Sequence, residues 1–188
     1  MKKTLTKEAL RCYIIYKQHN MSTENLYNQE AIEKLKKIVD QIDIGMLGTY
    51  PKDSDYVHAI PMSRQEVDEE GNIWFLFSSE SETHQHLQET TNVSLLYSDV
   101  RNYSFLSING TAEISRDSAR IEKYWNKMVE GWFDRGKEDP RIRVLKVVPD
   151  EAHYWDTKSS KLITFFKVAA RAITGKNIET GEQGDLNL

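Results

Sequence analysis

Three groups of residues have types and spacings that suggest chemistry. The run Gly131-Trp132-Phe133-Asp134-Arg135-Gly136-Lys137 has the glycine-to-lysine interval of a phosphate-binding P-loop. Its surroundings exclude that use. A helical pattern precedes it where a strand is needed, Glu138 stands where Ser or Thr would hold magnesium, and aromatic residues replace the small ones of such a loop. His84 and His86 are two apart in a helical stretch, which points them about 200° from each other. With no cysteine or third ligand at a suitable interval, no metal site is expected. The third group is the polar run Ser78-Ser79-Glu80-Ser81-Glu82-Thr83, which leaves an apolar segment and enters a short helix. Such a strand end offers amides and hydroxyls to an anion. No Gly-x-Ser-x-Gly elbow is present, and no residue stands out as a general acid or base, so the catalytic residues stay unassigned.

The polar run must be positioned by the hairpin before it. Tyr56 to Met62 reads as the first arm, Asp68 to Asn72 as the turn and Ile73 to Phe77 as the second arm, with Gly71 and Asn72 suited to left-handed backbone. Upstream, Asn28 is expected to cap a helix with Ile32, Leu35, Ile38, Val39 and Ile42 along one side and Lys34, Lys36 and Lys37 opposite. A strand follows from Ile44 to Tyr50, and its Gly45 and Gly48 mark either barrel closure or the close approach of a ligand. Downstream, Ser81 caps a short helix through Leu87, Val93 to Tyr97 is a strand, and Tyr103 to Ile114 alternates apolar and polar residues as a long antiparallel strand does. Asp117 starts a helix whose apolar stripe runs from Ile121 through Tyr124, Trp125, Met128 and Val129 to Trp132. Ile142 to Val148, Ala152 to Trp155 and Leu162 to Val168 complete the set, with breaks at Pro149-Asp150 and Ser159-Ser160. Many strands with few crossover helices predict a mainly β (α+β) antiparallel barrel with flanking helices.

Bulk properties set further bounds. A chain of 188 residues with 39 % hydrophobic content suits one domain with a real core. Residues 1–20 are expected to be an N-terminal extension outside the fold, 21–170 the domain, and 171–188 a mobile polar tail with Gly175, Gly181 and Gly184. The net charge of −4 and the lack of a Lys/Arg run argue against nucleic acid as a partner. The run Cys12 to Tyr16 is far too short to cross a membrane, so no membrane association is expected. Cys12 is the only cysteine, which suits a reducing compartment and a cytoplasmic protein.

Four phrases, taken in order, carry a family resemblance. They are Gly48-Thr49 with His58-Ala59-Ile60-Pro61-Met62 and Asp68 to Phe75, then Ser107 to Glu113, then Trp132 to Pro140, then Ala152-His153-Tyr154-Trp155-Asp156. Together they span Asn28 to Val168 and resemble the pyridoxamine 5′-phosphate oxidase-like split-barrel proteins, specifically the general stress protein 26 branch. The resemblance implies an antiparallel split barrel that forms a homodimer, with FMN or FAD between subunits and aromatic side chains from both around it. It places the cofactor against Pro61, Met62 and Ser63 on one strand and Phe77, Ser78 and Ser79 on the next, and makes Trp132 and Trp155 candidate aromatic contacts to it, although aromatic burial in the core or the dimer interface is the commoner role for such residues.

The resemblance also implies an arginine just before Pro-Met and a lysine closing a Thr-x-x-x-Ser-x-Lys phrase, both gripping the flavin phosphate. Without gaps these positions hold Ile60 and Thr83, with Phe77 at the threonine and Ser81 retained, so both cations are missing. Two charge-assisted contacts of about 1.5–3 kcal/mol each are lost unless His58, Arg64 or His84 replaces them. A shift of one residue sets Ser78 on the threonine and His84 on the lysine. Three functions follow from the resemblance: a flavin-dependent oxidoreductase or stress protein reduced by a nicotinamide cofactor or another small-molecule reductant, a non-catalytic flavin carrier, and a flavin-free scaffold or binding protein. Oxidation of pyridoxamine phosphate itself is not expected, because the substrate-phosphate residues are not found in the C-terminal portion.

Overall fold

The computed structural model describes residues 22–156 and 182–188. In chain order the elements are β1 (Ser22–Thr23), β2 (Leu26–Tyr27), α1 (Asn28–Gln41), β3 (Ile44–Thr49), β4 (His58–Val67), β5 (Ile73–Ser78), α2 (Glu82–Glu89), β6 (Asn92–Asp99), β7 (Ser104–Ser115), α3 (Ser118–Tyr124), α4 (Lys127–Glu130), β8 (Ile142–Asp156) and β9 (Glu182–Asn187). The antiparallel path β8-β5-β4-β3-β6-β7 returns to β8 and closes a six-stranded barrel. The antiparallel barrel with flanking helices is therefore the fold. The expected N-terminal extension and the expected strand at Leu162 to Val168 lie outside the described residues.

β8 settles how the barrel closes. The sequence reads as two strands broken at Pro149-Asp150, whereas the structure has one strand of 15 residues with a bulge there. Gly110 of β7 pairs with Pro149 and Asn109 with Glu151, so Asp150 is the extra residue. One inserted residue exchanges the two faces of a strand. Leu145 and Val147 before the bulge, and Ala152 and Tyr154 after it, all enter one buried cluster as a result. Gly110 has no freedom to carry a side chain here, since a Cβ would stand 2.2 Å from the Val148 carbonyl oxygen.

The central hairpin separates two cores. Ile73, Phe75 and Phe77 of β5 face the barrel interior with Leu35, Ile38 and Val39 of α1. Trp74 faces outward into a second cluster with Ile121, Tyr124, Val129, Phe133, Ile142 and Val144. Of the stripe expected on a single helix from Asp117, Ile121, Tyr124 and Val129 are buried and Trp125 packs against them, but the helix is broken. Asn126 caps a separate α4 by accepting the Met128 and Val129 N–H groups, so Met128 and Trp132 turn out to solvent. The Arg120 guanidinium lies 3.4 Å from the centre of the Trp74 ring, and Lys123 and the Tyr124 hydroxyl both donate to Glu66. Those two hydrogen bonds hold the Glu66 carboxyl below the usual carboxylate range.

Both ends of α1 differ from the sequence reading. Tyr27, not Asn28, is its N-cap and supplies no side-chain bond, while Asn28 has a φ of 50°. Asparagine tolerates that left-handed backbone better than most residues do. The expected mobile tail also needs correction, because Glu182 to Asn187 is a strand pairing with β8, β1 and β2. Its single apolar side chain, Leu186, is buried in the barrel core. Lys34 then bridges Asp156 and Glu182, which face each other across β8 and β9, at 2.6 Å each. Leu186→Ala is expected to cost about 2–5 kcal/mol of stability in a urea titration; a midpoint equal to that of the parent would show that the last residues do not belong to the fold.

Candidate functional site

The polar run after β5 is fixed at both ends. The Ser79 N–H donates 2.8 Å to the Arg141 carbonyl just before β8, and Ser78 is in register with Ile142. The Ser81 hydroxyl donates to the Ser78 carbonyl at 2.7 Å and accepts from the His84 N–H at 3.2 Å, so it caps α2 as expected. The Ser78 hydroxyl accepts from the Glu80 N–H at 3.1 Å. The serines therefore build the turn first, and what they offer a ligand comes from its remaining amide and hydroxyl groups.

α2 lays its side chains over the end of the barrel where β3 stops and β4 starts. The His86 Nδ1 lies 2.9 Å from the Thr49 hydroxyl, and the His86 ring meets the His58 ring edge-on at 5.1 Å. The His58 Nε2 faces the exposed Glu82 carboxylate at 3.4 Å, while its Nδ1 is buried with no hydrogen-bond partner. His84, half-buried, sits by the Phe77 ring with centroids 6.0 Å apart. His58, Thr49, Glu82 and His86 thus gather on one side of α2, while His84 lies with Phe77 beside the Ser78-to-Ser81 turn. Thr49 and His86 were hidden in the sequence because they meet only where α2 packs against the end of β3.

Other candidate residues are elsewhere. Ile60 is half-buried against the core and Met62 is buried in it, whereas Pro61 and Ser63 alternate to the outer face of β4. Thr83 is 1 % exposed, so the helix turns it inward and leaves His84 toward solvent. Ser79 is half-buried in the turn. Trp132 is 79 % exposed after α4, and Trp155 lies on the outer face of β8, its ring tilted against that of His153 with centroids 4.4 Å apart. Arg64 is committed to α1: its Nε donates to the Val39 carbonyl at 2.8 Å and its terminal nitrogen to that of Asp40 at 3.1 Å. It is a helix anchor and not a substitute for the missing cations. Gly45 and Gly48 make room for the protein itself, since added Cβ atoms would meet the Tyr97 ring at 2.7 Å and Val57 at 2.9 Å.

The outer face of the barrel is a second feature. Cross-strand register aligns Pro61, Met46, Leu96, Ser107, His153 and Asp185 in one row. Its β4-β3-β6 end is apolar and open, with Ile44 57 % and Leu96 52 % exposed. Its β8-β9 end is polar, with His153 Nδ1 2.6 Å from the Asp185 carboxylate. Two adjoining surface cavities of about 430 and 350 Å³ flank the Asp150 bulge on this side and share Asn109, Asp150 and Glu151. None of the candidate residues lines either cavity.

A barrel of this topology with a histidine- and serine-lined mouth can be compared with known proteins. Residues 30–179 match the model of the family described as pyridoxamine 5′-phosphate oxidase like. The chain belongs to that family. It is 30 % identical over 173 residues to protein bli-3 of Neurospora crassa, covering 86 % of this chain and 81 % of that protein. A crystal structure from Jannaschia sp. CCS1, described as a general stress protein 26, superposes with a TM-score of 0.69 at 25 % identity and covers 85 % of this chain and 96 % of that one. The general stress FMN/FAD binding protein of Xanthomonas citri is 30 % identical, with a TM-score of 0.60 over 71 % of this chain and 93 % of that one. No described helix is long and apolar enough to cross a membrane.

The Ser81 cap fixes the start of α2 beside the serine turn. Ser81→Ala is expected to lower stability by about 1 kcal/mol in chemical denaturation through loss of the cap. An unchanged midpoint would mean that α2 starts without it.

Proposed function

We propose that this protein is a homodimeric FMN- or FAD-binding split barrel that works in the cytoplasm as a flavin-dependent oxidoreductase or general stress protein. The observation that carries this reading is the end of the barrel where the partly open His84 ring lies by Phe77 and the Ser78-to-Ser81 turn. The partly open His84 ring and the Ser78-Ser79 turn fit an anionic group beside a flat one. His84, Ser78 and Ser79 would hold the phosphate end, with Phe77 against the ring system. The flavin would supply hydride and electron transfer, with a nicotinamide cofactor or another small molecule as reductant. The FMN/FAD binding named for the Xanthomonas citri neighbour supports the same ligand class here.

The homodimer rests on the outer face. Ile44, Met46, Pro61 and Leu96 form an exposed apolar surface on adjacent strands. A second copy of the same face would cover it, and Trp155 lies farther along that side of the barrel. Leu96→Glu is expected to shift the protein from dimer to monomer in light scattering; an unchanged mass would move the interface elsewhere.

The visible spectrum of protein purified from cells, supplemented with FMN or FAD and desalted, tests the flavin. Near one-to-one retention of yellow colour is expected. A colourless protein that refuses both flavins would sink this reading and leave a flavin-free barrel. Faster reoxidation of the bound flavin than of free flavin, after reduction by a nicotinamide cofactor, would separate an enzyme from a carrier.

A further inference from the structure

Positions 60 and 83 carry no charge, and the arginines at 64 and 141 are spent. Arg64 is bound to the end of α1. Arg141, whose carbonyl receives the Ser79 N–H, turns its guanidinium to Asp139, Asp134 and Glu80 at 2.8, 3.2 and 3.6 Å. The serine turn has few amides to spare, since the N–H groups of Ser79, Glu80, Ser81 and His84 all donate within the protein. A cation therefore has to come from another element.

β8 brings one. Arg143 stands directly across from Phe77 in the β5–β8 ladder. Directly opposed residues of an antiparallel pair share a face of the sheet, so Arg143 emerges on the side of β5 that carries Phe77, where the His84 ring lies. The alternation of β8 agrees, because Leu145 and Val147, two and four residues on, face the barrel core. Arg143 is thus the first inward-facing residue of β8, half-buried at the end of the barrel where the strand's own pattern calls for an apolar side chain. A charge in such a place is costly unless it is paired.

Its guanidinium is held in place without being neutralised. Nη1 donates to the Pro140 and Ile142 carbonyls at 2.8 Å each, which fastens the group beside Arg141, the residue that receives the Ser79 N–H. A guanidinium has five N–H donors, so the Nε hydrogen and both Nη2 hydrogens are left over. Among the described residues none of the three has an acceptor, and Arg143 has no ion-pair partner. A charged planar fork of this kind matches phosphate oxygens.

Resting on the flavin reading above, we propose that Arg143 is the residue that grips the flavin phosphate, entering from β8 in place of the arginine and lysine missing from β4 and α2. Ser78 and Ser79 add neutral donors beside it.

FMN and riboflavin differ by that phosphate alone, so the ratio of their dissociation constants, read from quenching of flavin fluorescence, isolates the group that holds it. The parent is expected to favour FMN by about 10- to 100-fold, the range of one charge-assisted contact, and to lose part of that preference as salt is raised. Arg143→Gln should weaken FMN alone and bring the two constants within about twofold of each other. Arg143→Lys keeps the charge without the fork and should retain only part of the preference. A riboflavin affinity equal to the parent's confirms that each variant folds. Should the glutamine variant melt early, the lysine variant carries the test, and a preference equal to the parent's is then the overturning result. A parent that binds both flavins equally, or a preference that survives Arg143→Gln, overturns the inference and leaves flavin binding standing. So does a loss that strikes riboflavin and FMN alike, which would mark Arg143 as a strut for the chain around Pro140 and Ile142. Failure of both flavins to bind the parent overturns it together with the proposed function.

Discussion

Closure of the barrel depends on β8 keeping one continuous ladder with β7 across the extra residue Asp150. A strand of constant alternation through this region would turn either Lys146 and Val148 or Glu151 and His153 into the core. The bulge lets Leu145 and Val147 face inward before it and Ala152 and Tyr154 after it. Full burial of a large apolar side chain contributes about 1.5–3 kcal/mol, so the parity change is set by several such residues acting together. Proline is tolerated at Pro149 because a bulge interrupts the ladder where an N–H would otherwise be required. Gly110 opposite it allows the backbones to meet at a distance no side chain permits.

The candidate site inherits its geometry from that ladder. β8 pairs with β5 from Ile142 onward, and the Ser79 N–H closes on Arg141 directly before it. The serine turn is thereby held, and α2 starts from it. The helix period then decides which side chains reach solvent: Thr83 falls inward, His84 comes beside Phe77, and His86 reaches across to Thr49 and His58. Small departures in β8 would be transmitted to this mouth through Ser79, although none of its ring-bearing residues lies on β8.

What the sequence revealed followed from local period. The alternation of Leu106, Ile108 and Ala112 was legible because each residue meets the same core. The Ser81 cap was legible because its bonds are local. β8 misled because Pro149-Asp150 has turn composition, and only the shared core shows that the strand continues. The strand at Glu182 to Asn187 misled for the opposite reason. It has one apolar side chain, and much of its hold is non-local: Lys34 bridging Asp156 and Glu182, Leu186 in the core, and Gly184 passing so close to Glu24 that a Cβ would stand 2.0 Å from its carbonyl oxygen. Asn126 had the composition of a cap inside an apolar stripe, and the stripe concealed it. At the site, the ungapped reading set Thr83 at the lysine position and a one-residue shift set His84 there; burial separates them.

The two absent cations also read differently once burial is known. A lysine at position 83 would have to leave a spot that is 1 % exposed, or carry its charge through the core, at a cost of several kcal/mol unless paired. An arginine at position 60 would replace apolar packing beside Leu47, its partner across β3 and β4. Both exchanges therefore favour the folded barrel at the expense of permanent charge at the mouth.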